Sequence, residues 1–153
     1  MAGAALLYFE DLEPGQVFVL GSRTVSKEEI IAFATDFDPQ PFHLDEEAGA
    51  KSFLGGLCAS GWHTCAMVHR LNCDNFMNKI HSLGAPGLDE LRWIRPVFPG
   101  DTISGTSKLI DLRPSNSRPD VGLMHIQTDV SNQAGDPVLR MKAWAMIARR
   151  PGG

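Results

Sequence analysis

The chain has 153 residues, of which 43% are hydrophobic and 21% charged, with a formal net charge of −4. That length fits one domain able to bury a proper core, and the composition is that of a globular protein. Mild acidity without a basic run argues against a nucleic-acid partner, and no segment approaches the ~20 apolar residues that a membrane-spanning helix needs.

The N-terminal MAGAALLYF is apolar but has no basic start and runs straight into the acidic EDLE, so it does not read as a secretion signal. Cys58, Cys65 and Cys73 are odd in number and lack C-x-x-C spacing. Reduced thiols serving as small core residues, in a cytoplasmic setting, are the simplest account.

Between Phe9 and Thr24 a Pro14–Gly15 turn precedes QVFVL and SRTV, which read as two short extended segments separated by Gly21. Ser26 then opens SKEEIIAFATDF. Ser26 and Glu29 have the capping-box pattern, and Ile30, Phe33 and Phe37 recur at helical spacing. A first helix therefore delivers the chain to Asp38.

The stretch from Phe37 to Arg70 carries the chemistry. Pro39 and Pro41 each fix φ near about −65° and push Asp38 and Gln40 towards extended geometry, so the loop holds Asp38 and His43 at a set separation. An isolated acid and histidine at this spacing would more simply be a turn cap and a packed histidine. The glycines that follow alter that balance: Gly55, Gly56 and Gly61 allow close backbone approach, and Ser60 is a good N-cap for a helix opening at Gly61. The free N–H groups of its first turn would stabilise negative charge on a bound oxygen. Acid, imidazole and oxyanion donors in one short stretch are what adding or removing water beside a carbonyl requires.

After His43, Asp45 can cap a helical turn through Glu46, Glu47, Ala48 and Ala50. Two acids at a helix N-terminus are more often favourable charges against the dipole than metal ligands with His43, and no metal is expected. From Gly61 the helix continues with Cys65, Val68, Asn72 and Phe76 on one side and Ala66, His69, Cys73 and Met77 on the next. Being apolar on more than one face, it fits a helix wrapped by a sheet. His63, His69 and His81 show no H-E-x-x-H pattern and read as packed or exposed, with His63 notable for its place just beyond Gly61.

Beyond Pro86–Gly87 four runs, LDELRWIRPVF, DTISGTSKLIDLR, VGLMHIQTDVSN and PVLRMKAWAMIAR, read as successive strands of an antiparallel meander. The polar PSNSRPD reads as a mobile loop. The sheet must curl around the helix, giving an α+β fold in a single domain, and its free edge invites a second copy.

These elements resemble the MaoC-like dehydratase family of the hot-dog fold, which includes the (R)-specific enoyl-CoA hydratases. The family's signature of Asp, a hydrophobic residue, Asn-Pro, any residue, His, any residue and Asp is similar to Asp38-Pro39-Gln40-Pro41-Phe42-His43-Leu44-Asp45. Its Phe-Gly-Gly and Ala-His-Gly elements resemble Phe53 to Gly56 and Ala59-Ser60-Gly61, and its Arg-Pro-Val-x-Pro-Gly-Asp element matches Arg95 to Asp101. Gln40 stands where the family has Asn, and Ser60 where it has His. The resemblance implies one hot-dog domain over 1–153, with a central helix at about 61–79.

It also implies reversible hydration of a trans-2-enoyl thioester. Asp38 and His43 would hold one water between them, and the Gly61 N–H would bind the thioester oxygen. Gln40, Ser60, Trp62, His63 and Arg95 are the expected substrate-binding residues, Trp62 and His63 lining the acyl pocket. Arg92 and Arg95 are candidates for coenzyme A phosphates, with solvated surface charges an equal reading, whereas Trp93 and Trp144 are more simply core or interface aromatics. Coenzyme A enters as part of the substrate with no separate cofactor; an acyl-carrier thioester is the other candidate. The chain would pair with itself as a homodimer or higher even oligomer. Two rivals are a hot-dog thioesterase and a non-catalytic hot-dog subunit. The first would place an acid on the central helix, where none occurs from Gly61 to Cys73.

Overall fold

In the computed structural model, which describes residues 3–152, each helix starts where a side chain can satisfy its free N–H groups. Ser26 caps α1 (Lys27–Phe37), its Oγ accepting the Glu29 N–H at 3.1 Å. Ile30 and Ala34, one turn apart, are its buried residues, while Phe37, expected to share that face, is exposed. Helix α1 stops at Asp38, where Pro39 disfavours helical geometry. Asp45 caps the short α2 (Glu46–Lys51) by accepting the Ala48 N–H at 2.9 Å. Ser60 caps the central helix α3 (Gly61–Asn75), which a 3-10 turn over Met77–Lys79 prolongs.

Five strands form one antiparallel sheet: β1 (Val17–Thr24), β2 (Ser82–Trp93), β3 (Thr102–Pro114), β4 (Val121–Ser131) and β5 (Pro137–Ala148), in the order β1-β3-β4-β5-β2. Sheet and central helix together are the α+β hot-dog arrangement. Three expectations need correction. The two extended segments before α1 are one strand, carried through a register shift between Val19 and Ser22 in which Gly21 takes φ +75°. Strand β2 begins at Ser82, ahead of Pro86–Gly87, because one side of an edge strand needs no ladder partner and so tolerates proline. The meander is confined to β3, β4 and β5, whereas β2 sits beyond β5 at the far edge.

Residues 94–101 therefore cross from one edge of the sheet towards the other. On the way they pass the start of α3, where the Ala59 N–H donates to the Val97 carbonyl at 2.8 Å. This crossing builds one wall of the site described below.

The core has two apolar clusters. Val25, Ile30, Met67, Val68, Ile103 and Leu139 belong to the one around the first half of α3. Leu12, Phe76, Leu109, Met124 and Ile147 belong to the other, around its end. A buried polar row also ties the helix to the sheet. Ser107 Oγ donates to Asn72 Oδ1 at 2.7 Å, so its bond of 2.7 Å with Thr128 Oγ1 has the threonine as donor. All three are buried, and leaving any one unpaired would cost about 1–3 kcal/mol.

Only one side of α3 is covered. His63, Thr64, Met67, Val68, Leu71 and Asn72 are buried, but Ala66 and His69, read as part of a second apolar face, are exposed. Among the described residues no helix is long and apolar enough to cross a membrane.

Candidate active site

Asp38 is the C-cap of α1, and Pro41–His43 form a 3-10 turn immediately after it. The turn buries His43, and Asp38 Oδ2 lies 3.4 Å from His43 Nε2, with the side chains 16% and 7% exposed. That is longer than a good hydrogen bond, but both side chains lie nearly out of water and face each other directly. His43 Nδ1 lies 2.6 Å from the Cys58 carbonyl. A carbonyl only accepts, so Nδ1 carries a proton and Nε2 is the ring atom left to exchange one.

The backbone just before Cys58 packs closely on α2. A Cβ on Gly49 of α2 would collide with the Leu57 amide nitrogen, so only glycine lets the helix lie on that backbone. Burial, aided by the Asp38 charge, pushes the Cys58 thiol up to about 11, so it stays protonated beside the histidine.

Two donors hold the carboxylate. Ser60 Oγ donates to Asp38 Oδ2 at 2.7 Å and Gln40 Nε2 donates to Oδ1 at 2.7 Å. The Ser60 hydroxyl first, then Gln40 and His43, draw the Asp38 carboxyl below its ordinary pKa despite the opposing effect of burial. Gln40 and Ser60 are also the two positions at which the motif departs from the family it resembles. Both substitutions land on one carboxylate.

Asp38 and His43 open into a cleft of about 620 Å³ whose wall includes Gln40, Gly61, Trp62 and Arg95. As the first residue of α3, Gly61 has no acceptor one turn back, and its N–H finds no protein acceptor among the described residues. The positive end of this 15-residue helix stands behind it. Arg95 is the cation on the wall.

Not every expected residue faces the cleft. Ser60 is fully buried beneath Asp38. His63 stacks on Phe33 with ring centroids 4.7 Å apart, and burial lowers its pKa. At 3.6 residues per turn, two positions beyond Gly61 is about 200° around the helix, whereas Thr64, one further on, comes back to the cleft wall. Arg92 pairs with Glu90 at 2.8 Å, outside the cleft. Glu46 and Glu47, weighed as metal ligands, pair with Lys27 and Lys51.

Trp93, where the sequence suggests a core or interface aromatic, is half-exposed and lines the cleft. Its Nε1 donates to the Gly61 carbonyl at 2.9 Å, and its ring meets Trp62 edge-on at 5.1 Å. A Cβ on Gly61 would fall 2.6 Å from the indole, so the glycine both frees the helix terminus and seats the tryptophan. No local pattern announces a contact between residues so far apart in the chain.

The family model described as MaoC like domain matches residues 11–130. A MaoC-like dehydratase from Rhodospirillum rubrum of known structure is 42% identical, with a TM-score of 0.84 over 95% of this chain and 99% of that one. The uncharacterised protein YdeM of Bacillus subtilis is 30% identical over 88% of this chain and 94% of its own length. Mesaconyl-CoA hydratase of Cereibacter sphaeroides is 38% identical over half of this chain, which spans only 21% of that longer protein.

Proposed function

The chain belongs to the MaoC-like domain family, and from that premise we propose that it hydrates trans-2-enoyl thioesters to (R)-3-hydroxyacyl thioesters, reversibly. The observation that carries the reading is the facing pair, Asp38 Oδ2 and His43 Nε2, at the base of a cleft bounded by a free helix N-terminus. The similarity of half the chain to a CoA hydratase adds to it.

One water bridges carboxylate and imidazole from the cleft side. As its oxygen attacks C3, one of the two groups takes its proton and the other delivers a proton to C2. The C2–C3 double bond becomes a single bond; the pair enters holding one proton and leaves holding one on the other group, and its return between the two resets the site. Because His43 Nδ1 is committed to Cys58, the imidazole takes part through Nε2 alone. The Gly61 N–H receives the thioester oxygen while enolate charge develops, and donors of that kind contribute about 10²–10³ in rate. Arg95, exposed on the cleft wall, would meet the phosphates of coenzyme A or of a carrier's prosthetic arm.

The test follows absorbance of the enoyl-thioester band with crotonyl-CoA and longer trans-2-enoyl-CoAs. Loss of absorbance without release of free thiol is the expected result. Thiol release would replace the reading with thioester hydrolysis, and an unchanged signal with every chain length would remove it.

The protein also pairs with a second copy in this reading. Leu83 and Leu88 of the edge strand β2, with Ile94 just beyond it, are large apolar side chains left exposed. A dimer is expected in a sizing experiment, and a monodisperse monomer at working concentration would overturn it.

A further inference from the structure

We propose that Ser60 is the positioning residue for Asp38, its hydroxyl pinning the carboxylate oxygen that faces His43 to the first turn of α3. The inference rests on reading Asp38 as one of the two proton-handling groups.

Ser60 is fully buried, so its hydroxyl is satisfied by protein alone. Its Oγ accepts the Trp62 N–H at 3.3 Å and donates to Asp38 Oδ2 at 2.7 Å. A hydroxyl has one proton, so the direction of this short chain is fixed from Trp62 N–H through Ser60 to Asp38. The positive end of α3 thus reaches the carboxylate through a single hydroxyl. Asp38 has need of it, because its backbone caps the C-terminus of α1, where the helix carbonyls disfavour an anion.

The other groups around Asp38 cannot stand in for it. His43, from the 3-10 turn, meets the same oxygen at 3.4 Å and must remain free to exchange a proton. The Cys58 thiol, from residues 52–60, is protonated, and Arg95, from residues 94–101, is exposed at the cleft. Gln40 holds the opposite oxygen from an exposed position that water can replace. His63, the next titratable side chain on α3, is buried against Phe33.

The bond has a thermodynamic signature with a definite sign. It holds the folded carboxyl below its unfolded pKa, so it contributes stability above that value, lost as pH falls through the folded pKa. Ser60→Ala therefore lowers stability in neutral solution and little in strong acid.

The deciding experiment is a carbon-13 titration of the Asp38 carboxyl, its resonance identified by its absence in Asp38→Asn, alongside kcat and KM against pH. In Ser60→Ala the midpoint moves up, the acid limb of kcat moves with it, and KM is held. Ser60→Thr restores both, and Ser60→Cys, which keeps the volume with a weaker donor, falls between. An unmoved midpoint in a folded Ser60→Ala or Ser60→Cys protein overturns the proposal. The titration needs no turnover: an upward shift in a protein that hydrates no thioester sustains the positioning role and removes the hydratase reading. An active hydratase whose midpoint and acid limb ignore these substitutions does the reverse.

Discussion

Asp38→Asn is expected to lower kcat for enoyl-thioester hydration by about 10³-fold, since a positioned proton-transfer group contributes typically 10²–10⁴. The substitution keeps shape and hydrogen-bonding capacity but removes the ability to hold a proton reversibly. One asparagine oxygen can still accept from Ser60 or from Gln40, and Gln40 is exposed enough to turn its amide and match. The fold and the cleft should therefore survive, with circular dichroism and KM close to wild type. Loss of the absorbance change at unchanged KM assigns the carboxylate to the transition state instead of to binding. Retention of more than about a tenth of wild-type kcat, against that 10²–10⁴ range, would take Asp38 out of the chemistry.

Phe76→Ala is expected to have the opposite profile, with a stability cost of about 3–5 kcal/mol and a melting temperature lower by roughly 10 °C. Phe76 is 1% exposed, ends α3 through its N–H bond of 2.8 Å to the Asn72 carbonyl, and meets Phe18 of β1 edge-on at 4.1 Å. Removing the ring opens a void between helix and sheet that Leu12, Ile80, Leu109 and Met124 cannot close without shifting strands. The cleft lies at the other end of α3, against the other cluster. Protein that remains folded should keep its kcat. A thermal scan and an assay well below the transition check the two halves separately, and a melting point within 2 °C of wild type would show the cluster to be far more compliant than its packing implies.

The parts of the site legible in the sequence are those with local causes. Two prolines stiffen the loop between Asp38 and His43, and a serine before a glycine marks where α3 opens, all within a short stretch of chain. What the local sequence does not carry depends on pairings between distant segments. The far-edge position of β2, the passage of residues 94–101 beside α3 and the seating of Trp93 on Gly61 are set by sheet order, which hydrophobic alternation does not encode. Pro86–Gly87 looked like punctuation because proline usually ends a strand, and only the edge position explains its place inside one. Sequence distance from Gly61 puts His63 near the chemistry, yet rotation about the helix turns it to the core. Gln40 and Ser60 were visible as departures from a motif, but their convergence on one carboxylate appears only in three dimensions.

The row formed by Asn72, Ser107 and Thr128 acts as an index pin. Apolar packing alone is forgiving along the axis of a helix, since a slide by one turn replaces one greasy contact with another. The one bond from Ser107 to Asn72 permits a single setting, because a slide of the helix leaves the buried Asn72 side chain without its partner while Ser107 and Thr128 stay paired on the sheet. Asn72 lies eleven residues beyond Gly61, about 16 Å along the axis at 1.5 Å per residue. A fastening in the middle of the sheet thereby sets how far the tip of α3 protrudes into the cleft, so alignment of the site is governed by residues that touch none of it.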